Sequence, residues 1–337
     1  MVHLALVGGA HIHVPNFIKR VQARDDVAVS HVWDHDPDRA QRRAAALGAR
    51  VTPDLEAIWA DAAIQAVIIG SETDRHEALV LGAATVGKAM FVEKPLAADS
   101  DGAYCMAEAI ERAGVVFQTG YFMRGDPIYR FLRRELQRGA FGQVTRLRMS
   151  NCHAGALGGW FDTEWRWMAD VDQAGVGAFG DLGAHVLDIM LWLLGDVTSA
   201  TAAIGMGTGR YPGCDETGEG LLRFRSGAIG SLAAAWDDIA NPVTLVLSGT
   251  EAHATVFNGA LYYQNQGVAG ADGKTPWTDL PAPLPHAFDL FLDALTGQAD
   301  VPLVSPREAA ERVAVMAAMY AGARRGGWVT PETWGAL

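Results

Sequence analysis

The sequence predicts an α/β protein: an N-terminal doubly wound parallel sheet, then an α+β domain carrying an open, mostly antiparallel sheet. Three observations carry this. Up to about residue 120, short apolar strands alternate with helices of ten to sixteen residues, the pattern of a parallel sheet covered on both faces. Beyond it, several short, partly alternating runs follow one another between turn glycines, as in antiparallel sheets. The 337 residues, half of them apolar, are enough for two cores.

HLALVGG (3–9) reads as a buried strand, followed by a helix over 14–24. VAVSHVWD (27–34) is a second strand ending in an acid, and DPDRAQRRAAALG (36–48) a helix closed by Gly48. IQAVIIG (64–70) and TDRHEALVLGAATVG (73–87) form the next strand and helix; KAMFVEKP (88–95) and DSDGAYCMAEAIERAG (99–114) repeat the pair. VVFQTGY (115–121) is one more strand, and 1–120 is expected to be one doubly wound domain. In 121–337, IYRFLRRELQRG reads as a helix, QVTRLRMSNCH as a strand and GAHVLDIMLWLLG (183–195) as a helix stopped by Gly195. The open sheet falls at 197–260, a Pro- and Gly-rich surface loop at 265–285, and two helices close the chain, the second with Ser305, Pro306 and Glu308 as a capping start.

Lys and Arg number 27 against 39 Asp and Glu, a net charge of -12. This argues against non-specific binding to nucleic acid or an anionic membrane, but not against an anionic cofactor held by local backbone donors. The longest greasy stretch, 186–195, contains Asp188 and is too short to span a bilayer. Cys105, Cys152 and Cys214 are scattered, without zinc or disulfide spacing, and the opening MVHLALVGG has no basic leader. A cytoplasmic protein is the expectation.

VGGAHIHVP (7–15) would be a G-x-G-x-x-G turn if Ala10 and His13 were glycines. Gly8 permits the turn, Ala10 adds one methyl where the backbone approaches a pyrophosphate, and His13 replaces the glycine that packs helix on strand. His13 then either displaces the loop or points outward beside the phosphates, and Gly8, Ala10, His11, Ile12 and His13 are candidate cofactor contacts. A tight turn with no ligand is the alternative. Asp34 ends the second strand, where a carboxylate takes both ribose hydroxyls of NAD and repels a 2′-phosphate. NAD is therefore expected over NADP, unless Arg39 or Arg42 reaches back; Asp34 can instead simply cap the next turn. Ser71 and Thr73 stand at the same sheet edge, and His76 either touches cofactor or packs and caps. His11 and His13, like His31 and His35, lack a third ligand at metal-site spacing, so no metal is expected.

VEKPLA (92–97) after Gly87-Lys88, then GYFMR (120–124) with Pro127, GDLGAHVLD (180–188) and LSGTEA (247–252), resembles in order and over essentially the whole chain the glucose-fructose oxidoreductase, inositol dehydrogenase and rhizopine-catabolism (Gfo/Idh/MocA) family. The resemblance implies an N-terminal Rossmann domain and NAD(P)-linked hydride transfer at a secondary carbon of a sugar, glycoside or cyclic polyol. Catalytic roles fall on Lys94, Asp181 and His185, with Glu93 and Lys94 also near the cofactor. It also implies a homodimer or homotetramer formed through the second sheet. The residue types suit the reaction. Histidine titrates near neutrality and can take the hydroxyl proton, lysine can hold the developing alkoxide, and Asp181, four residues before His185, can fix its tautomer or bind a neighbouring hydroxyl.

Tyr121, Met123 and Arg124 follow the last strand of the first domain, and His153 ends the strand 144–153. Trp160, Trp167 and Trp236 offer indole faces for a sugar ring. These are the candidate substrate contacts, with core or subunit-interface roles as the alternative for the tryptophans. An NADPH-dependent ketone reductase and a non-catalytic dinucleotide-binding protein are the competing functions.

Overall fold

A computed structural model of the chain describes residues 1–333. The first unit runs β1 (Val2–Gly9), α1 (Val14–Gln22), β2 (Val27–Trp33), α2 (Pro37–Leu47), β3 (Arg50–Val51), α3 (Leu55–Ala60), β4 (Ala66–Gly70), α4 (His76–Thr85), β5 (Ala89–Val92), α5 (Ser100–Ala113) and β6 (Phe117–Thr119). Its six strands are all parallel, in the order β3-β2-β1-β4-β5-β6. The order reverses between β1 and β4, which opens the crevice where such sheets take ligands. Leu4 to Val7 and Ala66 to Ile69 are buried on both faces because helices cover both.

The second unit comprises α6 (Pro127–Gln137), β7 (Val144–Cys152), α7 (Val171–Ala174), α8 (Ala178–Leu194), β8 (Val197–Gly205), β9 (Thr217–Phe224), β10 (Ile229–Ala235), β11 (Val243–Gly249), β12 (Ala252–Phe257), β13 (Ala260–Asn265), α9 (Ala287–Leu295) and α10 (Pro306–Arg325). Its seven-stranded sheet has the order β13-β12-β11-β7-β10-β9-β8. All neighbours are antiparallel except β7 and β10. One face packs on α8. On the other, Leu221 and Ile229 stay exposed.

The structure departs from the sequence expectations in identifiable places. β3, α3 and β13 are additional, the first two too short to give a periodic signal. β5 stops at Val92; Glu93 still donates its amide to the Ile69 carbonyl of β4 at 3.0 Å, and Lys94 is the first residue off the ladder. α8 starts at Ala178, five residues before the expected start, despite two glycines in its first turns. Those glycines allow close packing: a Cβ on Gly180 would lie 2.4 Å from Val176, and one on Gly183 would lie 3.1 Å from Met316. The run Val171–Leu194 is long and apolar enough to cross a membrane by length and composition, but 83% of its apolar 18-residue window is buried inside the fold.

The chain does not stay in its second unit after residue 121. α9 returns to the first sheet, where Phe288, Phe291 and Leu292 join Leu4, Leu6, Phe17 and Phe91 in one cluster. Arg24 Nη1 also bonds Asp293 at 2.5 Å. α10, opened by the expected Ser305–Glu308 capping box, places Ala310 and Val313 in the first unit's core and Met316 and Met319 in the second's.

Candidate active site

The cleft lies where the C-terminal edge of the first sheet faces the start of α8. Lys94, just past β5, sends Nζ to the carboxylate Oδ1 of Asp181, and to its carbonyl at 3.3 Å. Asp181 lies in the first turn of α8, and its Oδ2 accepts from Trp236 Nε1 at 3.2 Å. Trp236 is fully buried, its ring centroid 4.2 Å from that of Phe161. Burial alone would raise the Asp181 pKa, but the charge and hydrogen bond of Lys94 bring it down to about 2. The carboxylate is ionised and its two oxygens are taken, so Asp181 holds Lys94 rather than fixing the tautomer of His185.

His185, one turn further along α8, is buried, and its Nδ1 has no hydrogen-bond partner. His76 Nε2 is orphaned likewise, so it is the place of His185 beside Lys94 and Asp181 that sets it apart. Burial, Lys94 and His13 push its pKa well below the ordinary value, so the ring is neutral. Tyr121 meets it edge-on at 6.4 Å, and Phe122, which sequence reasoning passed over, packs at 4.9 Å. Phe122 also stacks on His286, the N-cap of α9. Lys94, Asp181 and His185 therefore converge from both units.

The turn after β1 is built tightly. Gly8 has φ +80°, and a Cβ there would lie 2.5 Å from that of Ser71. Ser71 thus packs beneath the turn, its hydroxyl donating to the Glu72 carbonyl at 3.1 Å. Ala10 is buried, and its carbonyl accepts from Trp167 Nε1 at 3.2 Å. His11 donates its amide to the Gly70 carbonyl at 2.9 Å, and His13 its amide to His11 Nδ1 at 3.2 Å. His13 does not point outward: its ring turns inward and meets Glu93 Oε1 at 3.0 Å. Ile12 is partly buried against the second unit's core. Burial drives the His11 pKa down to about 3. His11, His13 and Glu93 bring their donor atoms within 4.8 Å of one another; Glu93 is the third group that sequence spacing did not reveal.

Asp34 is enclosed by four donors. Gly9 N lies at 2.7 Å, Asp36 N at 2.9 Å, and Arg39 binds both its oxygens at 2.7 Å. Arg39 does reach back, and it also meets Glu72 at 2.9 Å. Arg42 turns instead toward Glu164. His76 is a packing residue, its Nδ1 set against the Leu96 carbonyl at 3.1 Å. Thr73 lines the small cavity beside His11, Lys94, Trp167 and Asp181.

Several expected substrate contacts are used elsewhere. Arg124 is committed to Asp188, at 2.8 and 2.6 Å, and to Glu308 at 3.0 Å, so its guanidinium is an internal strut. Met123 packs against the second core. Trp167 bonds the Ala10 carbonyl of the turn and at the same time lines the small cavity beside Lys94 and Asp181. His153 and the half-exposed Trp160 lie against each other at 4.7 Å near the cleft mouth.

A dinucleotide fits these residues in kind, through a glycine-permitted turn and a carboxylate ending β2. The room is taken, however. The cavity bounded by Thr73, Lys94, Trp167, Met168 and Asp181 measures about 10 Å³, space for a single water. The segment carrying Trp167 packs against the turn and is tied to the first unit by Glu164, which pairs with Arg42 and Arg43.

The fold and cleft define a two-domain, Rossmann-type protein with ionisable groups gathered between a dinucleotide-binding edge and an open-sheet domain. Comparison with known proteins gives the family. Residues 2–121 match the oxidoreductase family with an NAD-binding Rossmann fold, and residues 129–255 match the GFO/IDH/MocA C-terminal domain. The chain belongs to the GFO/IDH/MocA oxidoreductase family. It is 26% identical to levoglucosan dehydrogenase of Pseudarthrobacter phenanthrenivorans over 61% of this chain and 58% of that one. It is 28% identical to scyllo-inositol 2-dehydrogenase (NAD(+)) of Bacillus subtilis over 79% and 75%. An inositol 2-dehydrogenase of Saccharopolyspora erythraea is 32% identical over 60% and 55%. Two of these three relatives are thus matched over less than two thirds of their length. Levoglucosan dehydrogenase in complex with NADH and levoglucosan shares the fold, with a TM-score of 0.80, 20% identity, and coverage of 98% of this chain and 100% of that one. Aldose-aldose oxidoreductase from Caulobacter crescentus does likewise, at 0.80, 19%, 98% and 99%.

Proposed function

We propose that this protein is an NAD-dependent dehydrogenase that oxidises a secondary hydroxyl of a sugar, glycoside or cyclic polyol. The observation that carries this is the convergence of an ion-paired lysine, its buried aspartate and a histidine with an orphaned nitrogen. The relatives named for inositol and levoglucosan support the substrate class.

The 8–13 turn, Asp34 and Thr73 would hold the dinucleotide, whose nicotinamide supplies the hydride acceptor. Arg39 lies between two carboxylates, Asp34 and Glu72, so that corner keeps a net negative charge and disfavours a 2′-phosphate. Lys94, kept in place by Asp181, holds the substrate oxygen and stabilises negative charge developing on it. His185, whose buried ring is neutral, is the proton acceptor, although burial makes it a weaker base than the near-neutral histidine the sequence suggests. Trp236 fixes Asp181, and Phe122 and Tyr121 shield His185 from water. We also propose cytoplasmic residence, which suits three free thiols, and self-association over the open sheet face at Leu221 and Ile229, which light scattering would read as a dimer or tetramer.

The test has two stages. NADH and NADPH are titrated separately by nicotinamide fluorescence, and tighter NADH binding is expected. A panel of inositols, anhydrosugars and aldoses is then screened with NAD, and Lys94→Ala and His185→Asn should each lower turnover about 100-fold or more. Full turnover in either variant overturns its role. The small cavity favours one other reading, a protein that takes no dinucleotide; absence of binding by either nucleotide would establish it.

A further inference from the structure

We propose that His11, His13 and Glu93 form a binding site for one divalent transition-metal ion, of the zinc class, at the seam between the β1–α1 turn and the end of β5. Glu93 Oε1 lies 3.0 Å from His13 Nδ1 and 3.8 Å from His11 Nδ1. All three donor atoms fall within 4.8 Å of one another. Ligands 2.0–2.2 Å from a tetrahedral ion stand roughly 3.3–3.6 Å apart, so small adjustments of the two rings complete the set. Two imidazoles and a carboxylate are the donors of open zinc sites, and they also suit cobalt, iron and manganese.

Charge points the same way. The Glu93 side chain is wholly buried, and among the described residues its ion-pair partners are the two histidines alone. Lys94, the adjacent cation, is turned away to Asp181. Asp181 thus has the lysine, while Glu93 has the two histidines and, at Oε2, the Lys94 amide at 2.9 Å; buried charges are paired or coordinate metals. A divalent ion would supply the missing positive charge. His11 Nδ1 now accepts only the His13 amide, at 3.2 Å, a lone pair the ion would take instead. The His13 side chain is 35% exposed while His11 and Glu93 are enclosed, so the ion has a route in and a side left open for a further ligand.

The site also explains the residue type at position 13. A glycine there serves helix packing in a dinucleotide turn, whereas the histidine ring reaches inward to a carboxylate 80 residues away in sequence. The ion would clamp turn to strand and sit beside the Lys94–Asp181 pair, where its open position suits an oxygen ligand such as a hydroxyl, a carboxylate or water. This inference does not rest on the dehydrogenase reading.

The full chain is stripped with a chelator, dialysed against zinc, desalted and analysed for metal by mass spectrometry. The expected result is one ion per chain in the wild type, lost in His13→Ala and in His13→Gly, which carries the residue usual for such turns. His253→Ala, on the remote strand β12, should keep the ion. Cobalt in place of zinc should give visible ligand-field absorption that His13→Gly abolishes, with circular dichroism reporting that each variant is folded. A folded wild type that retains no stoichiometric metal overturns the proposal. So does metal that survives in both His13 variants. Neither readout uses nicotinamide binding or turnover, so this site and the dehydrogenase assignment stand or fall separately.

Discussion

Asp188 shows how a residue one turn beyond His185 becomes a strut. Its carboxylate is buried and takes Arg124 through two bonds and Arg312 through one, at 3.0 Å. Removing it would leave two enclosed guanidinium groups short of a counter-charge, so Asp188→Ala should cost about 3–5 kcal/mol in urea unfolding; a loss below about 1 kcal/mol would refute the strut. His286 gives a pH prediction. Its Nδ1 accepts the Phe288 amide at 3.1 Å, and burial, then Arg20, lowers its pKa to about 4. The unfolded chain binds that proton from the ordinary value of 6.5 downward, while the folded chain resists until about 4. This contribution to stability is therefore intact above pH 6.5 and lost as pH falls toward 4. His286→Asn keeps an acceptor without a titration, so its melting temperature should fall less steeply than the wild type's across that window.

At the scale of elements, α9 and α10 stitch the two units together. Phe288 stacks on Phe17 at 4.6 Å and meets Phe91 edge-on at 5.0 Å, with no exposed surface. Phe288→Ala should cost about 3–5 kcal/mol and destabilise the first sheet, although residue 288 lies far beyond that sheet in sequence. Chemical denaturation followed by hydrogen exchange in β1 and β5 would test it; unchanged protection there would place α9 outside the first unit's core. Most strands and helices were legible from period and punctuation. α9 itself was legible as a helix, but its partner was not, because an amphipathic pattern says that a face is buried and not against what.

At the scale of the molecule, the segment from Trp160 to Val176 decides whether the cleft is open. Trp167 rests on Ala10, Glu164 on Arg42 and Arg43, and Gly175 against Ala98, where a Cβ would lie 2.5 Å from a neighbour. This segment packs over the turn that would hold a dinucleotide. NADH should therefore change tryptophan emission, and Trp167→Phe should remove most of that change while leaving the protein folded. An unaltered signal in the variant would locate the change elsewhere.

The sequence by itself determined the two sheets, the helix caps and the identities of Lys94, Asp181 and His185, because periodicity, turn chemistry and short motifs are local. Tertiary structure alone decided what those groups touch. Asp181 holds Lys94 and Trp236, Asp34 is enclosed by Arg39, Arg124 is spent on Asp188, and His13 faces Glu93 across β4. Each of these contacts joins atoms brought together by packing, and a side chain's partner is set by where the backbone carries it rather than by its neighbours in the chain.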